Sequence, residues 1–184
     1  MAIRFRSDAD CMLRFIVLFM LFLMVMFTAE LTPPVEQYVI HPFTSLLANV
    51  CVWLITLFDG DVVASGNTIR SASNGFAISI ERGCNGIEAI IILVSAVLAF
   101  PSPWKHKLAG ISVGFLAIQL LNLVRIISLY YMGQWSRLWF DWFHLYLWQA
   151  LIILDALIVF LVWLRYLPPS NDRRDPPSMQ PANG

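Results

Sequence analysis

Charge is scarce in this 184-residue chain: 13% of residues are Asp, Glu, Lys or Arg, twelve acidic against twelve basic, and the net charge is zero. Without a basic excess there is no electrostatic footprint for nucleic acid, and without an acidic tail there is none for bulk cation binding. Cysteine is sparse as well. Cys11, Cys51 and Cys84 are an odd set with no CxxC and no Cys/His ligand spacing, which argues against a disulfide framework or a zinc site and leaves at least one thiol free. The three histidines, His41, His106 and His144, are scattered, so haem held by paired histidines at membrane depth is not indicated. No Gly-x-Ser-x-Gly turn offers a serine nucleophile. Neither a metal nor another cofactor is expected.

What the chain has instead is apolar length. Hydrophobic residues make up 59% and mean hydropathy is +0.71, far above a soluble domain. Segments 13–31, 86–100, 108–130 and 144–164 are each near the roughly 20 residues needed to cross the hydrocarbon core. The run from Leu13 to Ala29 follows Arg4, Arg6 and Arg14 but precedes no A-x-A cleavage site, and so reads as a retained anchor. Lys105 and Lys107, and after the last span Arg165, Arg173 and Arg174, place those regions and the N-terminus in the cytoplasm by the positive-inside rule. An even number of crossings must then separate the N-terminus from the loop at 101–107. Segment 38–58, interrupted by His41-Pro42, Thr44-Ser45 and Asn49, is therefore expected to lie on or re-enter from the outer face.

Residues 59–83 are rich in Gly, Asn and Ser, with Phe76, Ile78 and Ile80 alternating with Ala77, Ser79 and Glu81, the pattern of a small extracytoplasmic β-hairpin. Residues 168–184, with five prolines and no apolar periodicity, are expected to form a disordered cytoplasmic tail. The expected fold is an all-α polytopic membrane protein, one integral-membrane domain over 1–167. It has about four transmembrane helices, an outer interfacial or re-entrant helix and the hairpin at 59–83.

This topology gathers Cys84, Arg125 and His144 at one membrane face. Cys84 lies between Gly83 and Asn85-Gly86 just ahead of an apolar helix, where a helix dipole and Arg82 or Arg125 favour thiolate; it reads equally as a buried cysteine packing as a small hydrophobe. Arg125 has wholly apolar flanks and either snorkels to headgroups or turns inward, the inward reading being supported by Asn122 and Gln119 below it on the same face. His144 is a base or an ordinary member of an aromatic belt. His41, before a proline, and His106, between lysines, are weaker candidates. Glu88, one helical turn past Cys84, is expected to pair with Arg125 or Arg82, and Asp155 to bond Gln119 or Ser112. Arg82, Glu88 and Asn122 are thus the supporting residues.

Gly83-Cys84-Asn85-Gly86-Ile87-Glu88, Asn122-Leu123-Val124-Arg125-Ile126 and Phe143-His144 together resemble the exosortase/archaeosortase family of membrane transpeptidases over roughly residues 40–165, and the short length is most like the exosortase H branch. The resemblance implies a cysteine protease or transpeptidase in the cell inner membrane, with catalytic Cys84, Arg125 and His144 on the extracytoplasmic face. It also implies partners: exported proteins ending in a short motif, a hydrophobic helix and a basic cluster, and a lipid-linked or glycan acceptor. For the exosortase H branch the implied motif is of the Ile-Pro-Thr-Leu kind followed by Trp-Gly. The competing class is a non-enzymatic membrane subunit or small transporter in which Arg125, Glu88 and Asp155 form an internal polar network.

Overall fold

The computed structural model describes the backbone of residues 2–167, with side chains from Asp10 onward. The expected tail at 168–184 lies outside the described residues. Five helices, α1 (Ala2–Glu30), α2 (Pro33–Thr56), α3 (Ile87–Ala99), α4 (Trp104–Trp135) and α5 (Arg137–Arg165), frame strands β1 (Val62–Ser65), β2 (Thr68–Ser71) and β3 (Ala77–Ser79), which lie between α2 and α3. Four helices are long and apolar enough to cross a bilayer: Asp10–Glu30 within α1, then α2, α4 and α5. The protein is a polytopic helical membrane protein, as its composition requires.

The expected spans at 13–31, 108–130 and 144–164 coincide with α1, α4 and α5, but the span expected at 86–100 is shorter. Helix α3 has 13 residues, about 20 Å at 1.5 Å per residue, against a hydrocarbon core of about 30 Å. Gly86, at φ +77°, sets its start; Pro101 sets its end by removing an N–H and pushing Phe100 into extended backbone. Short as it is, α3 is central, packed on α1, α4 and α5. Ala89, Leu93 and Val97 bury against Ile118 of α4 and Ile152, Ala156 and Trp163 of α5. Helix α1 runs antiparallel to it, with Phe15 against Phe100 and Met26 against Ser95. Lys107 Nζ donates to the Leu98 carbonyl at 2.7 Å, covering one of the carbonyls that a helix end leaves orphaned.

The segment expected to lie on the outer face belongs to α2, a continuous helix with one π-helical turn at Glu36–Ile40. Length and hydropathy alone would allow it to cross. Its contacts point the other way: Phe43 meets Phe115 in the middle of α4, while Cys51 and Ile55 pack with Ile126 and Tyr130 near the end of α4 and with Val62, Ile69 and Ile80 of the sheet region. Helix α2 thus follows α4 from Phe115 to Tyr130 and ends on the sheet without returning to the Pro101 loop.

The expected hairpin gains a third strand. The sheet is an antiparallel meander in the order β1-β2-β3, with Ile69 opposite both Ala64 and Ile78. Gly66, at φ +61°, turns β1 into β2. Between β2 and β3 the Asp61 carboxylate accepts from the Ser71 hydroxyl and the Ser73 N–H, both at 2.9 Å. The extra strand follows from a turn closed by side chains, a signal that apolar alternation does not carry.

Gly110 of α4 lies directly under the Trp163 ring, whose Nε1 donates to the His106 carbonyl at 2.8 Å. A β-carbon at 110 would overlap that ring, so Gly110→Ala is expected to destabilise by about 1–3 kcal/mol. Gly60→Ala, which meets nothing within 4 Å, is expected to stay within about 0.5 kcal/mol. Thermal unfolding in detergent checks this; equal melting temperatures for the two variants would contradict the packing described.

Candidate active site

Two left-handed glycines bend the chain between sheet and α3: Gly83 at φ +78° and Gly86 at φ +77° bracket Cys84 and Asn85, a conformation that L side chains rarely adopt. Asn85 is fully buried and ties the turn on every side. Its Oδ1 accepts from Ile87 N–H at 3.1 Å, its Nδ2 reaches Thr44 Oγ1 at 3.5 Å, and its carbonyl accepts from Gln119 Nε2 at 3.2 Å. The Glu88 carboxylate accepts from Gly83 N–H. Gly86 presses onto α4 so closely that a β-carbon there would meet Gln119 and Asn122.

The turn presents the thiol to two partners drawn from other helices. His144 Nε2 stands 2.9 Å from Cys84 Sγ. Arg125, 1% exposed, donates from Nη1 to the Gly83 carbonyl at 3.1 Å and from Nη2 to Sγ at 3.7 Å. Cys84, Arg125 and His144 are therefore brought together, and the inward reading of Arg125 is the one realised. His144 sits in a π-helical turn, Phe143–Leu147, and its ring stacks on Phe140 with centroids 5.6 Å apart. Such turns are rare and concentrate at functional sites.

The supporting residues are arranged differently from expectation. Arg82 pairs with Glu36 of α2, and Glu88 holds Gly83 N–H, so the expected ion pair of Glu88 with either arginine is not formed. The reason is geometric: Glu88 lies one turn beyond Cys84, where the nearest donor is the main chain of the bend itself. Asn122 is fully buried beneath Gly86, with both amide atoms unpartnered among the described residues. Asp155 bonds neither Gln119 nor Ser112: its Oδ2 is unpartnered, because Gln119 turns its amide to the Asn85 carbonyl. The internal network of Arg125, Glu88 and Asp155 that a non-enzymatic subunit would need is thus not assembled. His41 is exposed and His106 lies at the opposite end of α4; Cys51 is a buried free thiol. No group of His, Cys, Asp and Glu suited to a metal converges among the described residues.

The thiol is not simply activated. Burial pushes Cys84 above the ordinary cysteine range, the Arg125 guanidinium pulls it back, and the Glu88 and Glu81 carboxylates push it further up. The net direction is upward, a correction to the expectation of a favoured thiolate, because desolvation outweighs one guanidinium and Arg82 is engaged by Glu36. The imidazole of His144 is the basic group at contact distance from this sulfur.

Sequence reasoning missed Asn85 as the centre of the turn, Thr44 and Glu36 as anchors from α2, and Phe140 behind the imidazole. The only signal was local, the Gly-Cys-Asn-Gly run and an aromatic one turn before His144.

The structure is a polytopic helical bundle in which an imidazole and a guanidinium both reach one thiol. The family model described as transmembrane exosortase (Exosortase_EpsH) matches residues 5–162, and the chain belongs to the transmembrane exosortase family, a family of membrane cysteine transpeptidases acting on exported proteins with sorting signals. No curated protein and no solved structure matches it.

In a Cys11→Ser background, alkylation of Cys84 by a neutral reagent should require higher pH than that of a free peptide cysteine. Arg125→Gln should move the profile further up, since a cation favouring thiolate is lost, and Glu88→Gln should move it down, since an anion opposing thiolate is lost. Profiles that do not respond, or that move the other way, would contradict the electrostatics described.

Proposed function

We propose that this protein is a membrane cysteine peptidase of the sorting type. It cleaves the C-terminal signal of exported proteins through a thioester on Cys84 and passes the carbonyl to an acceptor. The observation that carries the reading is the 2.9 Å contact of Cys84 Sγ with His144 Nε2, with Arg125 on the same sulfur. His144 takes the thiol proton as Sγ bonds to the substrate carbonyl carbon. Arg125 stands where it steers the carbonyl and offsets the developing oxyanion. Collapse breaks the C–N bond, His144 returns the proton to the leaving amine, and the membrane-anchored tail departs. An acceptor amine, lipid-linked or on a glycan, completes transpeptidation; water completes hydrolysis.

Residues 1–167 form the working domain in this reading, set in the cell inner membrane with the sheet and the thiol on the extracytoplasmic face. The distribution of Lys105, Lys107 and Arg165 supports that orientation. The substrate tail combines a short motif, a membrane helix and a basic cluster, the motif being of the Ile-Pro-Thr-Leu kind followed by Trp-Gly if the chain is of the exosortase H branch.

Processing of a co-expressed protein bearing such a tail tests the reading at matched membrane levels. Cys84→Ala is expected to abolish tail removal, His144→Ala to slow it by about 10²–10⁴-fold, and Arg125→Lys, which loses the planar fork, by about 10²–10³-fold. Undiminished processing by Cys84→Ala would overturn the assignment.

A further inference from the structure

The sheet ends in an unpaired edge that leads into the thiol. Strand β3 pairs with β2 on one side, and among the described residues no strand pairs with its other side. Phe76 C=O accepts from Ser71 N–H at 2.8 Å and Ile80 N–H donates to Asn67 C=O at 2.9 Å, so even-numbered residues turn their main-chain groups toward β2. By strand alternation, the N–H and C=O groups of Ala77 and Ser79 face the opposite edge. Both residues are exposed. Five positions after Ser79 comes Cys84.

Beside this edge lies a pocket of about 210 Å³ lined by Phe76, Ala77, Ile78, Ser79, Gly133, Arg137 and Phe140. Gly133 lets the Phe76 ring lie directly on α4 as a wall of the pocket: a β-carbon there would collide with Phe76 and approach Phe140. Phe140 is shared with the site, since its other contact is the His144 ring. Arg137 stands at the rim without a carboxylate: the single ion pair among the described residues is that of Arg82 with Glu36. An open strand edge, one side-chain-sized pocket that shares Phe140 with the imidazole, and a free guanidinium at its rim are the elements of extended-peptide recognition by strand addition. A strand edge also gives main-chain affinity with little sequence demand, while the pocket supplies selection.

We infer that β3 is the substrate-docking edge. The extended motif of the exported protein adds alongside Ala77–Ser79, seats one side chain in the pocket walled by Phe76 and Phe140, and is thereby led to Cys84. The inference rests on the thiol-peptidase reading and names its substrate site. The peptide runs parallel to β3, because β3 descends alongside α4 from the level of Gly133, where Phe76 packs, to the level of Arg125, where the turn delivers Cys84. Its C-terminal end then continues toward the bilayer with the apolar tail. Arg137 takes a carbonyl or a carboxylate of the incoming segment.

Three variants and a cross-link test this in membranes that co-express a protein with the tripartite tail. Ser79→Pro deletes an outward N–H where a strand edge tolerates proline together with the hydroxyl bonded to Asn67 and Glu81, so its effects are read against Ser79→Ala, which loses the hydroxyl alone; Ile78→Pro would break the β2 ladder and is avoided. Ser79→Pro should cut tail removal at least tenfold relative to Ser79→Ala while leaving the rate of Cys84 alkylation by a small reagent unchanged, which shows the turn still folded. Gly133→Ala, which forces the Phe76 wall off α4, should change which motif residue is preferred while leaving thiol alkylation intact. In a Cys84→Ala, Cys11→Ser background, Ala77→Cys should form a disulfide with a cysteine placed in the substrate motif, and Val63→Cys on β1 should not. Thiol-dependent processing that Ser79→Pro leaves at the Ser79→Ala rate, or a cross-link that is absent or equal at both positions, overturns the docking edge alone. Processing that survives Cys84→Ala overturns the reading beneath it.

Discussion

A guanidinium buried in an apolar helix is the constraint on which this site is built. Removing an unpaired ion from water costs several kcal/mol even after relaxation, and Arg125 is 1% exposed on α4 with Leu123, Val124, Ile126 and Ile127 around it. The compensation comes from the Cys84 turn, through the Gly83 carbonyl and the sulfur itself. The turn in turn depends on α4: Gln119 holds the Asn85 carbonyl and Asn122 lies beneath Gly86. Position of the thiol, register of α4 and burial of the charge are therefore one arrangement, and each becomes costly without the others.

Two departures from regular helix serve the same end. Helix α3 is only 13 residues long because the glycine-bracketed turn takes up the depth in which a full span would have its first residues, lowering Cys84 toward the bundle. The π-helical turn at Phe143–Leu147 shifts the register of α5 just where His144 must face Sγ. A second π-helical turn, at Glu36–Ile40, sits where Glu36 pairs with Arg82. That contact ties α2 to the residue two positions before the thiol.

Much of this was legible in the sequence because membrane constraints are severe. Apolar length located α1, α4 and α5, and an arginine amid aliphatics had few destinations other than an interior partner. The isolated Cys84 between glycines and the aromatic-flanked His144 stood out for the same reason. What was not legible depends on register and on side chains closing on backbone. Glu88 found the N–H of Gly83 rather than an arginine, Arg82 found a residue 46 positions earlier in the chain (82 − 36), and Gln119 chose a carbonyl over Asp155. The third strand depends on Asp61 gathering Ser71 and Ser73, a contact that alternation of apolar residues does not encode. The upward push of burial on Cys84 also required knowing how deeply the turn is held.

Capture of the acyl-enzyme tests the central claim most directly. Membranes in which protein and tailed substrate turn over are quenched in acid, and the peptide containing Cys84 is analysed by mass, with and without hydroxylamine. The account predicts a substrate fragment attached at Cys84 through a bond that hydroxylamine releases, and no such adduct when Cys84 is replaced by alanine. Turnover of the substrate without any hydroxylamine-labile adduct on Cys84 would contradict it.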